Sequence, residues 1–126
     1  MTDKVVDASA IVALLFDELT RDSVVERLRG GSLHAPSLLV FEVANACLKK
    51  IRAAPSEREA LLEAFSLLNE VSIALEPVNL REAITLAERT SLSVYDASYL
   101  VLALTLGSEL VTLDAKLARA AETLCR

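Results

Sequence analysis

The sequence predicts an α/β fold of three layers, a central parallel sheet flanked on both faces by helices. Short β-branched and apolar runs alternate along the chain with longer segments whose apolar residues recur at helical spacing. Those runs are too short and too apolar to be half-exposed, so helices are expected over both sheet faces. Gly and Pro number three each and are scattered, with no linker composition and no repeat of solenoid length. The 126 residues therefore read as one domain, residues 1–126.

Taken in order, Lys4 to Val6 is a β-branched run ending at Asp7, and Ala8 to Asp17 follows with helix formers. Arg21 to Arg29 carries Val24, Val25 and Leu28 among charges and stops at Gly30 and Gly31, a surface helix with a glycine end. Ser32 to Ala35 supplies a brief strand. Pro36 and Ser37 open a helix, apolar nearly all round from Leu38 to Ile51, that ends near Pro55. Ser56 with Glu59 matches a capping box and predicts a helix through Leu68; Val71 to Leu75 is a strand before Pro77. Asn79 with Glu82 repeats the capping signature for a helix reaching Thr90, and a second helix opens near Ser93. Glu109 to Thr112 is the last strand, and a final helix starts from Asp114.

Composition narrows the function. Hydrophobic residues make up 53% and charged residues 25%, which excludes a disordered or fibrous chain. Aromatics are 4% with no Trp, which argues against the stacking platform of single-strand binders. A net charge of −5 and a pI near 4.9 oppose the basic footprint of non-specific nucleic-acid coating. Cys47, Cys125 and His34 are too dispersed for a zinc site and read as packing or surface residues of a reduced, cytoplasmic protein. The amino terminus lacks the pattern of an export signal. From Thr90 to Ser108 the chain is nearly uncharged, but Asp96 interrupts it, so the segment reads as a buried helix and no membrane contact is expected.

Four acids stand out. Asp7 and Asp114 each lie at a strand-to-helix junction, where ligands bind in open parallel sheets, although each also suits an N-cap. Asp96 is the one charge between Arg89 and Glu109 and would also complete a capping box with Ser93. Glu42 lies mid-helix, where no cap explains it, and Asn45, Lys49 and Arg52 continue its face as a polar stripe that is either solvated or turned to an acidic pocket. Convergence of the four would be costly without protons or a cation to neutralise them. Carboxylate oxygens without His or Cys suit Mg²⁺ or Mn²⁺, leaving positions open for water and a substrate phosphate. Such an ion activates a water and stabilises a departing 3′-oxygen, which is what phosphodiester hydrolysis needs. Ser9 and Thr112 place hydroxyls two residues from Asp7 and Asp114, for a bound water or for local backbone bonds. Lys49, Lys50 and Arg52, with Lys116 and Arg119, are candidate RNA contacts or solvated helix ends.

Four segments carry a resemblance. They are Val5-Val6-Asp7-Ala8-Ser9-Ala10, Phe41-Glu42-Val43-Ala44-Asn45, Ser93-Val94-Tyr95-Asp96-Ala97-Ser98-Tyr99-Leu100 and Val111-Thr112-Leu113-Asp114. In this order and spacing the chain resembles the PIN-domain ribonucleases, in particular the VapC toxins of toxin–antitoxin pairs, from Lys4 to about Ala121. The resemblance implies a Mg²⁺-dependent endoribonuclease, frequently a homodimer, with Asp7 and Asp96 as principal metal ligands. Glu42 and Asp114 would complete the acidic pocket, and Asn45 and Thr112 would line it. It also implies a small VapB-like antitoxin whose C-terminal segment fills the groove and switches the enzyme off. Similar chains continue past the last helix into a closing strand, whereas this sequence runs to Leu124-Cys125-Arg126, so the resemblance leaves that sheet edge undetermined.

Two other classes stay open at this point. A non-catalytic PIN-like module would bind RNA or protein without cutting. An aspartyl-phosphate phosphatase or receiver domain also places an Asp after its first strand, but here Ala8-Ser9 follows where a second acid would be needed.

Overall fold

The computed structural model describes residues 2–124, so Cys125 lies outside the described residues. Its strands are β1 (Thr2–Val6), β2 (Gly31–Pro36), β3 (Ile73–Glu76) and β4 (Glu109–Val111). Its helices are α1 (Ala8–Leu15), α2 (Arg21–Leu28), α3 (Leu39–Ala53), α4 (Arg58–Ser66), α5 (Leu80–Thr90), α6 (Val94–Leu106) and α7 (Ala115–Leu124). The four strands form one sheet in the order β3-β2-β1-β4, every pair parallel. Val5 and Val6 point to opposite faces and are both fully buried, so helices cover the sheet on both sides as the apolar strands require.

The order also positions the site. The chain moves outward from β1 to β2 to β3, then returns through α5 and α6 to the other side of β1. The carboxyl ends of β1 and β4 thus flank the point where connections leave in opposite directions, the crevice where open sheets bind ligands. Val6 pairs with Val111, and the Asp7 N–H donates to the Val111 carbonyl at 3.2 Å, which carries the pairing into the residues beyond both strands.

Helix α6 is enclosed: every residue from Ala97 to Ala103 is buried, matching the uncharged segment seen in the sequence. It ends at Gly107, whose φ of 61° is left-handed backbone that glycine adopts without a Cβ penalty. Asn79 caps α5 as its capping signature predicts, its Oδ1 accepting from the Glu82 N–H at 3.1 Å.

Two expectations are corrected. Helix α3 buries only Leu39, Val43 and Cys47, a single seam four residues apart, and leaves Phe41 and Leu48 exposed. A continuous apolar run does not say which face meets the core, and here one face does. The capping box at Ser56 is absent as well. Pro55 begins a 3₁₀ turn over Pro55–Glu57, since its fixed φ and missing N–H suit a first helical position, and α4 then starts at Arg58 without a side-chain cap.

Among the described residues β4 is an edge strand, and α2 guards it. Arg27 donates from Nη1 to the Thr112 carbonyl at 3.3 Å and from Nη2 to the Leu110 carbonyl at 3.5 Å, and pairs with Glu109 at 3.9 Å. These bonds occupy backbone acceptors that a neighbouring strand would otherwise use, which blunts the edge against unwanted pairing.

At the opposite side of the sheet His34 on β2 bridges two acids, Nδ1 meeting Glu76 Oε2 at 2.7 Å and Nε2 meeting Asp3 Oδ1 at 2.9 Å. Burial by itself would lower the imidazole pKa, but the hydrogen bonds and charges of Asp3 and Glu76 outweigh it and raise it. The folded state therefore holds a proton that the unfolded chain releases near pH 6.5, so the staple stabilises fully below that pH and fades as pH rises through the raised value. The predicted result is that His34→Ala lowers the melting temperature at pH 6 and that the gap to wild type narrows by pH 9. A gap independent of pH, measured by thermal unfolding in matched buffers, would show that only packing is lost.

Candidate functional site

The site is built outward from Asp7. As the N-cap of α1 it has extended backbone, φ −100° and ψ 175°, and its Oδ1 accepts from the Ala10 N–H at 3.1 Å. Ser9 Oγ donates to the same oxygen at 2.7 Å, and Thr112 Oγ1 donates to Oδ2 at 2.5 Å. Each hydroxyl also accepts a backbone N–H from the segment after β4, Ser9 from Leu113 at 2.9 Å and Thr112 from Asp114 at 3.0 Å. The sequence left these hydroxyls between holding water and local backbone bonding; in the fold they bond the carboxylate and tie two strand ends together. Asp7 is only 5% exposed. Burial pushes its carboxyl above the usual range, the bonds from Thr112, Ser9 and Ala10 oppose that rise, and the charge of Asp114 adds to it.

Glu42 projects from α3 and its Oε1 accepts from the Tyr99 hydroxyl of α6 at 2.6 Å. Burial raises its pKa, the Tyr99 bond opposes, and the charges of Asp96 and Asp7 raise it further. Tyr99 is itself pushed well above the ordinary phenol range by burial and by Glu42. Its role has a sequence signal that motif reading passed over: Tyr99 lies three residues after Asp96, on the same helical face.

Asp96 sits in the first turn of α6, where Ser93 Oγ accepts its N–H at 3.1 Å. Burial and the charge of Asp114 raise its carboxyl pKa, against hydrogen bonding from Ser93 and the charge of Lys116. Asp114 caps α7, Oδ1 accepting from the N–H groups of Lys116 at 2.9 Å and Leu117 at 3.1 Å. Capping and the acidic site therefore coexist at Asp7 and Asp114.

The electrostatic couplings close into a ring: Asp114 acts on Asp7 and on Asp96, and Glu42 feels both Asp7 and Asp96. Among the described residues no three His, Cys, Asp or Glu side chains converge as a ready-made metal cage. What the fold assembles is a set of carboxylates that repel one another through space, with Lys116 easing Asp96, and their all-oxygen donors are of the kind hard divalent cations take.

An open cleft of about 620 Å³ adjoins the ring. Its polar lining is Ser9, Glu18, Glu42, Asn45 and Lys49, and Phe41, Tyr95 and Leu113 are its large apolar lining residues. The polar stripe of α3 thus faces a cleft as far as Lys49, while Arg52 does not line it. Asp7, Asp96, Asp114 and Thr112 are not among its lining residues; Asp7 and Thr112 are buried, Asp96 is half-buried and Asp114 is exposed. Lys50 is committed elsewhere, its Nζ donating to Glu18 at 2.9 Å above the Phe16 ring. Lys116 Nζ donates to the Ser91 carbonyl at 2.8 Å, close enough for its charge to ease Asp96. Arg119 lines a separate depression with Arg89 and Thr123.

Comparison with known proteins agrees with this architecture. The family model for the PIN domain matches residues 4–123. Ribonuclease VapC3 of Pyrobaculum aerophilum is 39% identical over 90% of this chain and 91% of its own length. Ribonuclease VapC12 of Mycobacterium tuberculosis is 32% identical over 91% of this chain and 89% of its own length. Among solved structures, PAE2754 from Pyrobaculum aerophilum superposes with a TM-score of 0.74 at 27% identity, covering 98% of this chain and 87% of that one. The toxin VapC20 of Mycobacterium tuberculosis shares the fold, with a TM-score of 0.65 at 14% identity over 93% of this chain and 94% of that one. The acids at the carboxyl ends of β1 and β4, the parallel sheet between its helices and the family match over nearly the whole chain agree: this protein belongs to the PIN-domain family, as a VapC-like member.

Proposed function

We propose that this chain is a Mg²⁺- or Mn²⁺-dependent endoribonuclease that hydrolyses RNA phosphodiester bonds as the toxin of a VapBC-type pair. The observation that carries the reading is the coupled set of Asp7, Glu42, Asp96 and Asp114 at the carboxyl ends of β1 and β4 and on the helices beside them, in which burial and mutual repulsion hold three carboxyls above their usual range although Lys116 eases Asp96. The relatives named ribonucleases supply the substrate class.

Asp7 and Asp96 would be the principal metal ligands, with Glu42 and Asp114 completing the acidic pocket. The bound cation supplies an activated water and stabilises the departing 3′-oxygen. The rest falls to the chain itself. Ser9 and Thr112 fix both oxygens of Asp7, so the carboxylate is oriented before substrate arrives. Tyr99 holds Glu42 by Oε1, and Glu42 lines the cleft, where its carboxylate would take a proton from the attacking water. Lys49 on the cleft is the cation best placed for a substrate phosphate, while Lys116 and Arg119 offer weaker, more distant RNA contacts. An acidic chain with so few such groups draws its phosphate affinity from the metal, so RNA binding should depend weakly on monovalent salt and strongly on the divalent ion.

The proposal extends to a small VapB-like antitoxin that silences the enzyme, to a cytoplasmic site of action where RNA is found, and to a homodimer. Leu80 and Ile84 on α5 and Leu104 on α6 are exposed apolar residues available for self-association, which sedimentation would detect. No helix of residues 2–124 is long and apolar enough to cross a membrane.

The test of the activity is incubation of total cellular RNA with purified protein. Discrete fragments are predicted with Mg²⁺ or Mn²⁺ and none in chelator. Metal-independent degradation, or intact RNA despite bound metal, would overturn the nuclease reading; the latter would favour a binding module.

A further inference from the structure

The chain has three Phe and two Tyr, and their placement is uneven. Tyr99 is buried, and Phe16 and Phe65 pack against the core. Phe41 is 76% exposed and Tyr95 64%, and both line the cleft beside the acids. Each immediately precedes a member of the ring, Phe41 before Glu42 and Tyr95 before Asp96. On α3 the core seam of Leu39, Val43 and Cys47 leaves Phe41, about 200° round from Leu39, on the outer side. On α6 Tyr95 stands ahead of the enclosed stretch that begins at Ala97.

Large exposed aromatics that share one cavity mark a binding surface, whereas scattered ones need no explanation. The small residues Ala8 and Ala46 also line the cleft and leave room, and its volume falls among those of small-molecule sites. Along the α3 face that bears Phe41, Asn45 offers an amide that both donates and accepts, and Lys49 an ammonium; Glu18, which also lines the cleft, is paired with Lys50. Apolar faces, an amide and a cation beside phosphodiester chemistry match an unstacked nucleotide, whose base stacks on aromatic rings and whose edge and phosphate seek polar groups.

We infer that this cleft is a stacking slot for a single unpaired base of the RNA substrate, with Phe41 and Tyr95 as positioning residues that fix the strand against the acidic ring. The inference rests on the nuclease reading above and adds to it two positioning residues, Phe41 and Tyr95, that would hold one splayed base at the cleavage site. The low aromatic content does not oppose it, because two rings at the right place are enough for one base.

The test is binding of a short fluorescently labelled single-stranded RNA, with Ca²⁺ replacing Mg²⁺, alongside cleavage of total RNA in Mg²⁺. Phe41→Ala and Tyr95→Ala should each weaken binding at least about fivefold and raise KM more than they lower kcat. Phe41→Leu, which keeps apolar bulk but loses the ring, should behave like Phe41→Ala, while Phe41→Trp and Tyr95→Phe restore affinity to within about twofold. Because the chain contains no Trp, Phe41→Trp is also a unique fluorophore whose emission should be quenched when RNA binds. Unchanged affinity in both Ala variants, or full affinity in Phe41→Leu, overturns the stacking role, and continued cleavage by the same proteins leaves the nuclease reading intact. Absence of both binding and cleavage in wild type overturns the two together. A reporter that responds to an apolar peptide and not to RNA would assign the cleft to a protein segment instead.

Discussion

Asp96→Asn is predicted to lower RNA cleavage by on the order of a thousandfold while raising the melting temperature of the metal-free protein by about 2–5 °C. The two effects have one cause. Burial and the charge of Asp114 hold the Asp96 carboxyl above its usual range, so ionising it at neutral pH costs the folded state free energy. The amide keeps the shape and the capacity to bond Ser93, but removes the charge. The sign is fixed by linkage: a folded pKa above the unfolded one means the native state binds the extra proton, so stability falls as pH rises through that interval. The thermal gain of Asp96→Asn should therefore be largest near pH 7 and vanish below about pH 4. Added Mg²⁺ should reverse the ranking, stabilising wild type by mass action and leaving the variant unmoved. Calorimetric scans with and without metal, paired with cleavage assays, check all three points. Lost activity with lowered stability would mean that Asp96 serves the fold.

Thr112→Val should cost about 1–3 kcal/mol of stability and reduce cleavage by roughly tenfold or more. Valine matches threonine in shape, but the Asp7 Oδ2 loses its 2.5 Å partner in a buried setting, and the Asp114 N–H, nearer solvent, loses its acceptor. The Thr112 bond is the strongest influence opposing burial at Asp7, so its loss raises that carboxyl further. Activity should then switch on at higher pH than in wild type, a displacement that plain destabilisation does not produce. Thr112→Ser keeps the hydroxyl and should restore the profile. A pH–rate curve for the three proteins, with denaturant unfolding for stability, is the check; an unshifted curve in Thr112→Val would confine Thr112 to packing.

How much of this was legible in the sequence varies by residue. The junction acids were readable because Asp after a β-branched run and before helix formers has few meanings, and Asp7 and Asp114 proved to cap their helices within the acidic ring. The Asn79 cap and the enclosed α6 were readable for the same reason, a local pattern with a local cause. The outer face of α3 was not, since an apolar run carries no direction and only the packed seam assigns one. Ser56 misled because Pro55 nucleates a tighter turn one residue earlier. Long-range bonds were beyond pattern altogether: Tyr99 to Glu42 spans 57 residues, Thr112 to Asp7 spans 105, and Arg27 reaches the edge of β4 across 85. Whether the acids close into a cage is likewise a property of packing, and among the described residues no three of them do.

The central claim is that these four carboxylates act as one cation-binding catalytic unit. It is tested most directly by calorimetric titration of Mn²⁺ into wild type, Asp7→Asn and Asp96→Asn over a series of pH values from the ordinary carboxylate range to neutrality, in two buffers of different ionisation enthalpy. Carboxyls held above their usual range shed protons to an arriving cation in greater number as pH falls, so wild type should show saturable binding whose heat depends more on the buffer at the acid end of the series than at neutrality. Both variants should lose that heat, in step with their loss of RNA cleavage. Equal binding by all three proteins, or cleavage by a wild type that binds no metal, would contradict the account.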